Sequence, residues 1–293
     1  MDNWHENLKR AKSMLVDYFN DTSKPVKSSF EELDDLLNVY ESSIRNDEFY
    51  MLFDVRPNTI PIRWVSKSIK NVIGVNYSLS MEAWLSLIHP SFLKLYLEFA
   101  RIAYGISVEY KEDLVGKKVS YSILIPVMNA IDGTYWLFKQ SSIPVEFDEN
   151  NKMIAHLNIY TRLNRFKKYT PSQPLIHFEL VSPNHLEHKM ITEMQKKVIG
   201  LFFSDLEKRH TRLLIQYWHQ YSNYLRQGGE KPEAQFMSNK LKIKMTTIYK
   251  YSQEIIEHTR KNFPFAEFSD MVSVAEFLCA LFGSIKENIS GNK

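Results

Sequence analysis

"DGTYWLFKQSSIPVEFDENNKMIAHLNIYTRLNRFK", Asp132 to Lys167, is the stretch on which the fold turns. It holds two long runs of β-forming residues, "TYWLFKQSSIPVEF" and "MIAHLNIYTRL", joined by "DENNK" (Asp148 to Lys152). Just upstream lies a third run, "KKVSYSILIPVMNA", separated by "IDG" (Ile131 to Gly133). Both connections carry good turn chemistry: Asp and Asn bond back to their own backbone, and Gly supplies the φ > 0 that a tight hairpin needs. Three consecutive antiparallel strands are therefore expected here.

Working outward, "FYMLFDV" and "TIPIRWVS", separated by "RPN", read as an earlier hairpin. Three helices follow. "SKSIKNVIG" closes on Gly74, "SMEAWLSLI" starts at Ser80 as N-cap, and "HPSFLKLYLEFARIAYG" has Pro90 near its start and Gly105 at its end. The order is β-β-α-α-α-β-β-β.

That order, with these residues, resembles a PAS domain over residues 46–168. "WVSKSIKNVIG" (Trp64 to Gly74) matches the family's strand that ends in Ser and runs into a helix stopping at Gly. "WLSLIHPSFLKLYLEFA" carries the Ile-His-Pro that opens the long connecting helix, with Ser91-Phe92 where the family often has Asp. The opening stretch matches the last hairpin, with its Asp-Gly turn and the pair Tyr135-Trp136. The resemblance implies a five-stranded antiparallel sheet with helices over one face, and a cavity that holds a ligand or is filled by side chains.

Residues placed to line that cavity are Phe53, Trp64, Ile69, Phe92, Phe99 and Trp136. Core aromatics need no ligand, so plain packing stands beside the pocket reading. The cofactor stays unknown. The flavin chemistry of the light-sensing subclass needs a cysteine in the module, and the one cysteine, Cys279, lies outside it. Haem would need an axial ligand; His89 is expected to be structural, and His156 to turn to solvent or pack quietly. "HLEH" (His185 to His188) offers two imidazoles without an evident third ligand, so no metal site is expected.

The other segments frame this module. Residues 1–45 read as helical: Trp4, Leu8, Ala11, Leu15 and Tyr18 stripe one segment, and Phe30, Leu33, Leu37, Tyr40 and Ile44 a second. They suit packing on the next domain or dimerisation. Residues 169–185, with Pro171, Pro174 and Pro183, read as a linker in which "LIHFEL" can dock as an extended piece. Residues 186–293 read as a helical, DNA-binding-type domain. The overall expectation is an α+β chain with an all-α C-terminal part.

Within that part, "PEAQFMSNKL", "KIK" and "MTTIYKYSQEIIEHTRKNF" read as helix, turn and longer helix. At about 100° per residue, Ile248 shares an inner arc with Met245, Tyr251, Ser252, Ile255 and Thr259. Thr246, Tyr249, Lys250, Gln253, Glu257, Arg260 and Lys261 point away. That outer face mixes hydroxyls, an amide and cations, the groups that bond to base edges and phosphates. Between Leu206 and Asn262 eleven Lys/Arg face five Glu, a net +6 in a chain whose total is +3. Positive charge thus gathers where phosphates would be met. A solvated basic face has the same composition.

Residues 205–262 are similar to the LuxR/GerE type of helix-turn-helix. Ile243, Thr247 and Ile248 take the places of its apolar residue and its Thr-Val pair. Lys244 stands where the capping Ser belongs, Tyr249 replaces a usual Lys, and about ten extra residues fall around "QYSNYLRQGGEKPE". The resemblance implies DNA contact through Lys244, Thr246, Thr247, Tyr249, Lys250 and Gln253. No Gly-rich phosphate loop, Gly-x-Ser-x-Gly or paired metal motif is present, so no enzyme is expected. One cysteine, no signal-peptide pattern and no apolar window of about 18 residues point to a cytoplasmic chain without membrane attachment. The expected function is a one-component transcription regulator: a homodimer that binds double-stranded DNA and senses a small molecule or partner through the PAS-like module. The alternative is a signalling adaptor whose degenerate helix-turn-helix binds a protein.

Overall fold

A computed structural model describes residues 30–54, 62–109, 119–147, 149, 153–169, 175–180, 193, 196–197 and 199–282. The stripe from Trp4 to Tyr18 and the "HLEH" imidazoles lie outside these residues. The chain divides into two compact units, one formed by residues 1–167 with 177–190, the other by 168–176 with 191–293.

The first unit contains α1 (Phe30–Ser43), β1 (Glu48–Asp54), β2 (Ile62–Val65), α2 (Ile69–Ile73), α3 (Met81–Leu87), α4 (Pro90–Glu109), β3 (Val119–Met128), β4 (Tyr135–Phe147), β5 (Met153–Arg165) and β6 (Ile176–Leu180). The sheet order is β2-β1-β5-β4-β3-β6. Its first five strands form the expected antiparallel PAS-like sheet, with three helices inserted between β2 and β3. β6 is an addition: the "LIHFEL" piece joins the sheet edge beside β3, which makes six strands rather than five. An exposed strand edge presents unpaired backbone groups, and a short apolar segment bounded by prolines is well suited to cover it.

Alternation along the strands separates two packed faces. On the inner face Phe49 stacks on Tyr160 at 4.6 Å and meets Phe138 edge-on at 5.7 Å, with Trp84 of α3 at 4.8 Å from Tyr160. On the outer face Leu37 of α1 buries itself among Tyr50, Leu52, Ala155 and Leu157, with Tyr40 and Ile44 alongside. Both sheet faces are therefore covered, which explains why all seven residues of β1 are buried.

The family-like motifs are held by specific bonds. Ser66, at the end of β2, donates its N–H to Tyr50 O (3.0 Å) and accepts the Tyr50 N–H on Oγ (2.8 Å). Gly74 ends α2 in the left-handed region, φ +78, with its N–H on Lys70 O. There the chain passes close to the β3–β4 turn: Ala130 N–H bonds Ile73 O, and a Cβ on Gly74 would overlap Ile131 Cγ1 and sit 3.0 Å from Ile131 N. Gly133, φ +67, is needed for the turn alone, since nothing lies within 4 Å of its Cβ position.

The second unit is helical: α5 (Lys208–Gln227), α6 (Ala234–Leu241), α7 (Met245–Asn262) and α8 (Met271–Phe282). Leu213, Leu214, Tyr217 and Trp218 of α5 and Val274, Phe277, Leu278 and Leu281 of α8 are all buried in its core. Cys279 is buried there too, and burial pushes its thiol up to about 12.

Gly133→Ala should cost about 1 kcal/mol through backbone strain alone. Gly74→Ala adds the overlap with Ile131 and should destabilise by clearly more; paired urea titrations of the two variants read the difference.

Candidate nucleic-acid interface

α6 and α7 form a helix-turn-helix whose turn is locked by one residue. Ser238 O accepts the N–H groups of both Lys242 and Ile243, and Ser238 Oγ donates to Ile243 O at 2.6 Å. Lys242 closes α6 in the left-handed conformation, φ 56, the only non-Gly residue with positive φ among those described. A lysine bears strain there that glycine would not.

α7 then buries Ile248, Tyr251, Ser252, Ile255, Ile256 and Thr259. Its first residue, Met245, is half-buried, as is Thr247. Lys244, Thr246, Tyr249, Lys250 and Gln253 are exposed, along with Glu257, Arg260 and Lys261. Tyr249 shows 57% of its surface, unusual for a large aromatic residue. Arg260 is tied down, its Nε bonding Phe268 O at 3.0 Å. Ile256, which helical phase had not placed in the inner arc, is buried; the inner face is wider than a single stripe.

Two features raise the positive potential at the start of α7. Lys244 occupies the N-cap with extended backbone (φ −60, ψ 143), and no side chain caps the helix. Thr247 N–H turns back onto Lys244 O, so the Met245 and Thr246 N–H groups are the ones left to solvent or to a ligand, with a cation where the macrodipole is already positive. Lys240 and Lys242 are exposed in the preceding turn, Lys240 lying 5.5 Å over the Phe236 ring.

The first turn of α5 braces the middle of α7. His210, 3% exposed, meets the Tyr251 ring edge-on at 4.5 Å, and the Arg209 guanidinium lies 5.1 Å over the same ring. His210 Nε2 is 2.6 Å from Glu254 Oε2, an ion-pair distance but out of line for a hydrogen bond. At the far end of α7, His258 Nε2 and Asn262 Nδ2 both reach Phe202 O, at 2.6 and 3.1 Å. None of these long-range contacts has a local sequence signal.

In the PAS-like unit, the six cavity residues do not share one surface. Trp64 pairs directly with Leu52 and packs on the outer-face cluster with Leu37 and Tyr40. Phe53 lies on the inner face, stacked on His156 at 5.2 Å. Phe92 sits at 5.6 Å from Phe166 and 6.1 Å from His89. Trp136 lies under the Arg162 guanidinium at 5.1 Å, while Ile69 and Phe99 are buried on α2 and α4.

What the inner face does gather is polar. Gln140 Nε2 donates to Ser142 Oγ (3.2 Å), Ser142 Oγ to Asn158 Oδ1, and Asn158 Nδ2 to Tyr160 OH (3.2 Å). Trp84 Nε1 lies 3.4 Å from Tyr96 OH, whose proton burial holds above its ordinary range. Gln140 Oε1 and His156 Nδ1 are buried without a hydrogen-bond partner among the described residues. His156 thus packs inward, and burial lowers its pKa to about 4. His89 is also lowered by burial, with Ser91 Oγ at 2.7 Å from its Nδ1. Among the described residues no three His, Cys, Asp or Glu side chains come together as a metal site, and no helix is long and apolar enough to cross a membrane.

No known protein-family profile matches the chain, and no curated protein does. Among solved structures, VqmA bound to DPO aligns with a TM-score of 0.30 and 9% identity, over 87% of this chain and 93% of that one. The Vibrio cholerae VqmA dimer, described as a LuxR-type receptor, gives 0.29 and 10%, over 88% and 93%. An RNA-binding light-oxygen-voltage receptor gives 0.27 and 12%, over 72% and 49%. Likeness of this degree carries no argument about fold or function.

Lys242→Gly should raise the unfolding free energy by about 0.5–1 kcal/mol by relieving the left-handed lysine, read by denaturant titration. The second expectation concerns pH. The unfolded chain takes up the His156 proton near 6.5, the folded chain only near 4, so stability is full above 6.5 and falls as pH drops toward 4. Unfolding midpoints across that range should decline less in His156→Phe than in the parent chain.

Proposed function

We propose that this chain is a one-component transcription regulator, with a PAS-like unit that senses a small molecule or partner and a helix-turn-helix that binds duplex DNA as a homodimer. The observation that carries the reading is the two-sidedness of α7. Its inner residues from Ile248 to Thr259 are buried, and Thr246, Tyr249, Lys250 and Gln253 are left outward as one exposed row. A recognition helix presents such a row from its first two turns.

The uncapped N-terminus supports the same reading. Lys244 in place of a capping side chain weakens α7 in isolation, yet it leaves the Met245 and Thr246 N–H groups open and a cation at a helix start, the arrangement that receives a phosphate. Lys240 and Lys242 are exposed just ahead of it, and the exposed Arg209 lies over the Tyr251 ring further along the helix. Backbone contacts from such residues set register, and the α7 row would read base edges. On the sensor side, the support is the buried polar row from Gln140 to Tyr160 with two unpartnered atoms, since buried polar groups ordinarily find partners.

The protein should bind random-sequence duplex at low salt, with log affinity falling against log salt at a slope of about −4.5 to −6.3 for about five to seven phosphate contacts. Absence of any binding at about 50 mM salt sinks the proposal. Lys250→Ala should weaken binding without moving the thermal midpoint. Lys244→Ser should do two opposite things: stabilise the protein by about 1 kcal/mol through a restored cap, and bind DNA less well.

A further inference from the structure

The exposed row of α7 carries a carboxylate at its edge. Glu254, half-exposed, has Oε1 at 3.9 Å from Lys250 Nζ and Oε2 at 2.6 Å from His210 Nε2. His210 cannot follow the carboxylate outward, because it is buried on α5 against Tyr251. A second carboxylate, Glu207, pairs with Arg209 at 2.5 Å. The Arg209 hydrogen bond holds the Glu207 carboxyl below its ordinary value, and His210 and Lys250 add to the effect. Lys250 thus stands beside a carboxylate whose other oxygen lies against a buried side chain of the neighbouring helix.

Helix stability does not account for the arrangement. An exposed Lys–Glu pair with lysine on the N-terminal side is the weaker orientation of an i,i+4 pair, and exposed ion pairs add little in any case. For a surface that meets phosphates, a fixed negative charge beside the central lysine works against affinity.

We propose that Glu254, whose carboxylate lies between Lys250 and the buried His210, is an electrostatic check on the reading helix. In the free protein it occupies Lys250, and DNA must draw that lysine away. A random duplex offers phosphate charge alone and is opposed by the carboxylate. A site that presents a base-edge acceptor to Lys250, such as guanine O6 and N7, replaces the lost pair with a directed contact. Glu254 is therefore a specificity-determining residue that acts by weakening binding to unselected DNA. This inference rests on the DNA-binding reading above.

The test uses the whole 293-residue chain and a random-sequence duplex of about three helical turns, with affinity measured across a salt series. Glu254→Gln keeps the shape and a neutral contact to His210. It should bind about three- to ten-fold tighter than the parent at low salt, with a salt slope steeper by about one. In a Lys250→Ala background the same substitution should gain less than half as much, since the screened lysine is gone. Equal affinity and slope for the parent and Glu254→Gln overturn the check, as does a gain undiminished in the Lys250→Ala background. If neither protein binds duplex at low salt, the DNA-binding reading itself fails.

Discussion

Burial of Ile248, Tyr251, Ile255 and Ile256 fixes the rotation of α7 about its own axis, and everything proposed for this chain depends on that rotation. A helix has one degree of freedom that its hydrogen bonds do not set: which side faces the core. Four large side chains at helical spacing settle it, because turning α7 by one residue would expose apolar surface worth several kcal/mol. Once the phase is set, Thr246, Tyr249, Lys250 and Gln253 have nowhere to point but outward. The His210 and Tyr251 contact fixes the middle of the helix, and His258 with Asn262 fixes its end on Phe202 O.

The start of the helix is built differently from its middle. Its backbone entry is governed by Ser238, which satisfies the turn with three bonds, yet the adjoining positions violate local preference twice: Lys242 is left-handed and Lys244 is a cation at an N-cap. Either position would favour glycine or serine on stability alone. Rules broken side by side, next to a well-packed face, are the mark of a surface shaped for something other than folding. Lys240, Lys242 and Lys244 cluster there, all exposed, which makes that surface basic.

Legibility followed the range of the contacts. The three late strands and their turns could be read because period-two patterning and Asp-Gly chemistry are local, and the α7 phase because period 3.6 is local. The sheet face of Trp64 could not: it depends on pairing with Leu52, just before a register shift between Leu52 and Phe53. β6 was visible only as a short apolar piece among prolines, since nothing in "LIHFEL" says which edge it joins. The His210–Glu254 contact brings together residues of α5 and α7 far apart in sequence, and no spacing announces it. The inward turn of His156 follows from its register opposite Phe53, a fact of the sheet and not of the residue.

The same register argument bears on what the PAS-like unit can hold. Gln140 pairs with Tyr160, and Ser142 with Asn158, so the polar side chains of β4 and β5 stand side by side on the face that α3 covers. Apolar residues at those positions would fold as well or better, because each buried polar group must be matched or it penalises the fold. Most of the row is matched internally, which gives it a single hydrogen-bonded arrangement. The two unmatched atoms, Gln140 Oε1 and His156 Nδ1, belong to side chains held neutral, one by nature and one by burial. Neither they nor the neighbours bonded to them present a fixed charge. This row by itself is therefore better suited to a neutral hydrogen-bonding group than to an ion, whose desolvation its side chains do not offset.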